Sequence, residues 1–274
     1  MMCNWESLLS ILPRWMWHEV DNLGREELQE LRLRTGAGPE LVLGNESIWL
    51  AKPVRKEDLL YCIQAASRFS PWTAESMKDG YLTAPGGHRI GICGLGFCRE
   101  GRPGGIREIT SVCIRVARDY PGIAGKLDTG GSVLILGAPG WGKTTLLRDL
   151  SRSRAEGMTV AVVDRRGELF PGGFRRGKRM DVLTAMPLRE GILQVLRTMG
   201  PDCIAVDEIT DPGDCEALRR AAGCGVALLA TAHAGSVEEF HSRAVYRPLA
   251  QQGLFDTCLI LARDKSCRME RMRP

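Results

Sequence analysis

Two hydrophobic rhythms run along this chain, with a change between them near residue 119. In the first part, Leu31 and Leu33 on one side and Leu41, Val42 and Leu43 on the other flank the turn-like Thr35-Gly36-Ala37-Gly38-Pro39. Alternation on both sides of such a turn predicts a strand pair. Asn45 is expected to close a second turn before Ile48-Trp49-Leu50. Residues 23–31, with charges set between leucines, read as helical. Residues 56–69 read as an amphipathic helix with Leu59, Leu60, Ile63, Ala66 and Phe69 on one side and Pro71 just beyond its end. Residues 80–98 are strand-like and glycine-rich, Gly86-Gly87 marks a tight turn, and residues 109–116 predict another strand. At the start, residues 1–17 are rich in Trp and Leu but interrupted by Pro13 and Arg14, which predicts a short amphipathic helix packed on the body or on a neighbouring subunit. They lack the basic leader and small-residue cleavage site of a signal peptide.

Residues 119–131 carry Pro121, Gly122, Gly125, Gly130 and Gly131 and read as a linker. Beyond it, short apolar blocks at 132–136, 159–164, 203–206 and 226–230 alternate with helical patterns at 143–154, 187–199 and 214–222. Continuous apolar strands between helices imply a mainly parallel sheet covered on both faces. The expected class is therefore α/β. A smaller α+β domain over 1–119 and a linker over 120–131 precede the α/β domain over 132–274.

Composition narrows the classes. The chain has 274 residues, 44% hydrophobic and 26% charged, as in an ordinary globular protein. A formal net charge of +4 is too small to argue for nucleic acid. Ten cysteines occur without any C-x-x-C pair, which fits a reducing cytosol better than a zinc or redox site. No apolar run is long enough to span a membrane.

The chemistry lies in the second part. Gly137-Ala138-Pro139-Gly140-Trp141-Gly142-Lys143-Thr144 matches G-x-x-x-x-G-K-[ST], with an apolar strand before it and a helix beginning Thr145-Leu146 after it. Glycines let backbone N–H groups close around an anion, and the helix N-terminus adds positive potential. Lys143 is expected on the β- and γ-phosphates, and Thr144 on Mg²⁺. Residues 203–208 form an apolar strand ending in Asp207 and Glu208. Asp207 would hold Mg²⁺ and Glu208 would orient or deprotonate the attacking water. Asp164 and Glu168 close another strand and are candidates for positioning water, while Thr231 and His233 close a third and are candidates to sense the γ-phosphate. Arg89, Arg107 and Arg115 are candidate arginines for the developing charge.

The segments GAPGWGKTTLLRDL, VVDRRGEL, RTMGPDCIAVDEI and TAHA resemble the stage III sporulation protein AA family, in the secretion-type branch of P-loop ATPases. The resemblance extends through ELRLRTGAGPEL, GYLTAPGGHRIGICG and REITSVCIRVARD, and residues 264–274 add little to it. It implies a RecA-like core, ATP and Mg²⁺ as ligands, and a homo-oligomer, expected as a hexamer. It places the protein on the cytoplasmic, mother-cell side of the forespore membrane, beside membrane-embedded channel proteins. It also makes the segment at Asp164–Glu168 the Asp box and that at Thr231–His233 the His box, which raises the weight on Glu168, His233 and Arg115. Two departures stand out: Arg165 where the family has an acid, and Thr210 where it has glycine. The leading expectation is an ATPase that drives a sporulation channel. The alternatives are a nucleic-acid-binding ATPase and an ATP-gated scaffold that barely hydrolyses.

Overall fold

The computed structural model describes residues 3–44, 46–68, 80–99, 102–127 and 130–272. Asn45, Phe69 and Pro71 lie outside the described residues. The chain divides into two compact units, one of residues 1–119 with 171–173, the other of residues 120–170 and 174–274.

The first unit is an antiparallel sheet in the order β3-β2-β1-β6-β5-β4. Its strands are β1 (Leu28–Arg34), β2 (Glu40–Leu43), β3 (Glu46–Trp49), β4 (Tyr81–Thr83), β5 (Arg89–Arg99) and β6 (Arg102–Arg115). The expected strand pair forms with Leu31 opposite Leu41. The N-terminal helix is two, α1 (Trp5–Ser10) and α2 (Arg14–Gly24), because Pro13 cannot continue a helix and instead stands at the N-cap of α2. Leu8, Met16 and Val20 from these helices, with Leu12 between them, share one buried cluster with Leu28, Leu31, Leu33 and Ile114 of the sheet.

The helix expected over 23–31 is corrected. α2 ends at Gly24 and β1 starts at Leu28. Tertiary pairing overrides the local pattern, since residues 30–34 bond to β6 on one edge while residues 28–32 bond to β2 on the other. Helix α3 (Lys56–Ala66) ends three residues earlier than the pattern suggested.

In the second unit the order is β13-β12-β7-β11-β10-β8-β9, parallel throughout except for the β12–β13 hairpin. The strands are β7 (Val133–Leu136), β8 (Val160–Asp164), β9 (Met180–Thr184), β10 (Cys203–Val206), β11 (Ala227–Ala232), β12 (Thr257–Leu261) and β13 (Cys267–Arg271). Both faces are covered. Val133, Ile135, Val160 and Val162 pack with Leu146, Leu147 and Leu150 of α4 (Lys143–Arg154). Leu134, Leu136, Ala161 and Val163 pack with Ile192 and Val195 of α5 (Leu188–Thr198) and with Leu218 of α6 (Pro212–Gly223). A strand buried on both sides has no use for alternation, so these segments read as unbroken apolar blocks. In the stretch expected as a linker, which belongs to the second unit, the N–H groups of Gly122 (3.0 Å) and Ala124 (2.8 Å) donate to Asp149 of α4, which also binds Arg152 at 2.6 Å, so residues 122–124 are fastened to the helix.

Two short helices, α7 (Val237–Ser242) and α8 (Arg247–Gln251), and the strands β9, β12 and β13 add to the predicted elements. No helix among the described residues is long and apolar enough to cross a membrane.

Candidate functional site

The carboxyl ends of β7, β8, β10 and β11 meet at one edge of the second sheet, where α/β proteins bind ligands. The loop 137–142 leaves β7 and enters α4 through Gly142, whose φ of +100° is open to glycine and unfavourable for other residues. Lys143 is buried and folds back along this loop. Its Nζ donates to the carbonyls of Gly137 (2.8 Å) and Ala138 (3.0 Å) and lies 3.1 Å from Nδ1 of His233. Burial lowers the Lys143 ammonium from its ordinary value, against the opposing pull of Asp207 and Glu208. Pro139 and Gly140 are exposed at the crown of the loop, and Trp141 packs against the α4-side core. Thr145 is half-buried in the first turn of α4.

Three hydroxyl and carboxylate groups form the floor. Thr144 Oγ1 donates to Asp207 Oδ2 at 2.7 Å, and Thr231 Oγ1 donates to Asp207 Oδ1 at 2.7 Å. Thr231 Oγ1 also accepts from the Glu208 N–H at 2.7 Å. Burial raises the Asp207 carboxyl above its ordinary range, partly offset by the hydrogen bonds from Thr231 and Thr144.

Glu208 has a φ of +62°, a conformation that costs a non-glycine residue roughly 1–2 kcal/mol. That turn brings Glu208 Oε1 to 3.0 Å from His233 Nε2 and Oε2 to 2.5 Å from Arg166 Nη1. With Lys143 Nζ beside Nδ1 and Glu208 beside Nε2, His233 links the lysine to the glutamate. His233 is itself positioned from behind, since its N–H lies 3.3 Å from the hydroxyl of Tyr246, which donates to the Ile209 carbonyl.

Asp164 shapes the neighbouring loop. Its carboxylate accepts from the N–H groups of Glu168 (3.1 Å) and Leu169 (2.8 Å). Arg148 of α4 completes that loop by donating to the carbonyls of Glu168, at 2.8 Å, and Leu169. Arg165 donates to Thr210 Oγ1 at 3.2 Å, so the two departures from the family pattern contact each other. Arg115 lies on β6 of the first unit, paired with Glu30 at 3.3 Å. Arg89 and Arg107 of that unit lie over the rings of Tyr81 and Phe97.

Lys143, Thr144, Asp207, Glu208 and His233 thus converge within hydrogen-bond reach. The sequence reading missed Arg166, Arg148, Tyr246 and Lys265. The last reaches the Gly140 carbonyl at 2.5 Å from the β12–β13 turn. Arg166 was legible only as a neighbour of the Asp164 segment, and nothing local singled out the others.

The model of the family described as sporulation stage III, protein AA matches residues 6–271. The chain belongs to that family. Stage III sporulation protein AA of Bacillus subtilis is 34% identical over 280 residues, covering 95% of this chain and 88% of that protein. An uncharacterized protein, ycf45 of Porphyra purpurea, is 28% identical over 85% of this chain and 41% of its own length. Among solved structures, the Legionella pneumophila ATPase DotB superposes with a TM-score of 0.63 at 18% identity, covering 95% of this chain and 80% of that one. The pilus retraction motor PilT, solved with bound ADP, also gives 0.63, at 16% identity over 89% of this chain and 76% of its own. These likenesses show that this member of the sporulation family has the fold of P-loop secretion-type ATPases.

Proposed function

We propose that this chain binds ATP with Mg²⁺ and hydrolyses it, as a motor subunit energising assembly of, or transport through, a sporulation channel between mother cell and forespore. The observation that carries this reading is the bond from Thr144 to Asp207 beside the phosphate loop, at 2.7 Å. Hydroxyl and carboxylate oxygens there are the donor set a hard cation with several water ligands prefers. Thr144 and Asp207 would hold such a cation, which would supply positive charge against the negative charge that develops on the phosphates. The residues of the chain supply the rest. The loop N–H groups and the N-terminus of α4 hold the phosphates. Lys143 exchanges its carbonyl partners for the β- and γ-phosphates. Glu208, oriented by His233 and Arg166, directs water in line with the γ-phosphate. Glu168, in the loop that follows β8, is the second candidate for that task.

The family resemblance and the fold support a homo-oligomer, proposed as a hexamer, on the cytoplasmic face of the forespore membrane. There Arg115 of a neighbouring copy would supply charge at the nucleotide. Steady-state ATP hydrolysis against protein concentration, with Lys143→Ala as control, tests the reading. The expected rate per subunit rises with concentration, and the variant stays near background. A rate indifferent to Lys143→Ala refutes the catalytic assignment. Tight ATP binding without hydrolysis at any concentration favours the scaffold.

A further inference from the structure

We propose that Lys265 belongs to the nucleotide site, where it fixes the crown of the phosphate loop and adds a second cation beside the triphosphate. This rests on the ATP reading above. Lys265 lies in the turn 262–266 between β12 and β13. The turn closes through Ala262 N–H to the Ser266 carbonyl (3.0 Å) and Lys265 N–H to the Ala262 carbonyl (3.1 Å). Asp264 Oδ1 accepts from Ser266 N–H (2.9 Å) and Oγ (2.7 Å), so the one acid on the turn is engaged within it.

Lys265 has a φ of +69°, in the left-handed region. Short hairpin loops ordinarily place glycine there, because a β-carbon is strained in that conformation. Nothing in the closure of the turn requires lysine. What the lysine adds is reach: its ammonium crosses to the Gly140 carbonyl, 125 residues earlier, at 2.5 Å. Its stem passes 4.0 Å from the place a β-carbon on Gly142 would occupy. Lys143 is bonded to the Gly137 and Ala138 carbonyls at the other end of the same loop. Two ammonium groups therefore bracket the loop. Gly140 is exposed with a φ of +76°, a position free to move unless tied, and its peptide plane is part of the cradle that would hold the anion. A side chain held in a disfavoured backbone conformation and aimed at a phosphate loop is better explained by the loop than by the turn.

The test titrates full-length protein with the fluorescent analogue mant-ATP in the presence of Mg²⁺, comparing wild type, Lys265→Gly, Lys265→Arg and Lys143→Ala. Lys265→Gly is expected to weaken binding about tenfold, the loss of one charged contact in a partly wet setting. Lys265→Arg should recover to within about threefold of wild type. Because glycine suits the turn, the unfolding midpoint of Lys265→Gly should hold or rise by about 2 °C. A tether serving folding alone gives the reverse, a lower midpoint with unchanged affinity, and that result overturns the proposal. Wild-type affinity in Lys265→Gly overturns it as well. If wild type binds mant-ATP no better than Lys143→Ala, the ATP reading itself fails and this proposal falls with it.

Discussion

Replacing Thr231 by valine keeps its shape and removes only the hydroxyl, at a site with no exposure to solvent. That hydroxyl donates to Asp207 and accepts from the Glu208 N–H, both at 2.7 Å. Loss of the bond to a carboxylate is worth roughly 1.5–3 kcal/mol, and a buried N–H left unpaired costs roughly 1–3 kcal/mol. Removing a buried hydroxyl returns about 1–2 kcal/mol of its own desolvation. These terms span a loss of about 0.5–5 kcal/mol with a centre near 3 kcal/mol, or roughly 6–12 °C in the unfolding midpoint at that centre. Thr231→Ser retains the hydroxyl and loses one methyl, so it should cost less than about 1.5 kcal/mol. Urea unfolding followed by circular dichroism measures both, and amide exchange at Glu208 reports the specific bond, which should lose protection only in the valine variant. A valine variant within about 0.5 kcal/mol of wild type, or a serine variant as damaged as valine, refutes the reasoning.

Asp207→Asn should stabilise the fold in a pH-dependent way. The folded chain holds its Asp207 proton to a higher pH than the unfolded chain, whose carboxyl titrates near 3.8, so wild-type stability falls as pH rises from there through the folded value. The midpoint advantage of the variant should therefore be absent below that window and grow across it, and a difference independent of pH between 3.5 and 8 would contradict the cause assigned. Glu208→Gln should lower ATP hydrolysis about 100-fold while mant-ATP affinity stays within about threefold, as for a group that acts on water rather than on the phosphates. Equal losses in both would remove Glu208 from that role. In the first unit, a β-carbon on Gly38 would sit 1.8 Å from the Leu50 carbonyl oxygen. Gly38→Ala should cost about 3 kcal/mol by urea unfolding, and a cost below about 1 kcal/mol would show that the backbone there yields easily.

The α/β class, the strand–loop–helix unit around residues 133–154 and the family were all legible from the sequence. The reason is that each depends on local order. A strand buried on both faces must be an unbroken apolar block, and a phosphate loop must place its glycines, lysine and threonine at set spacing. Residues 23–31 show where local order misleads: their leucines fit a helix, but backbone pairing to two neighbouring strands makes residues 28–34 β1. The small helices and the β12–β13 hairpin were silent for a related reason, since they are held by contacts to distant parts of the second unit. The arrangement at the site is also tertiary. Only the folding of the sheet brings Thr144 to Asp207 and Lys143 to His233, across 63 and 90 residues of chain. Arg166 and Lys265 follow the same rule. An arginine or lysine in a loop looks like any solvated charge until the backbone sets where its long side chain ends. Here one ends on Glu208 and the other on Gly140. Chemistry carried by residues at fixed spacing can be read from the chain, whereas partners joined across distant loops are settled by packing alone.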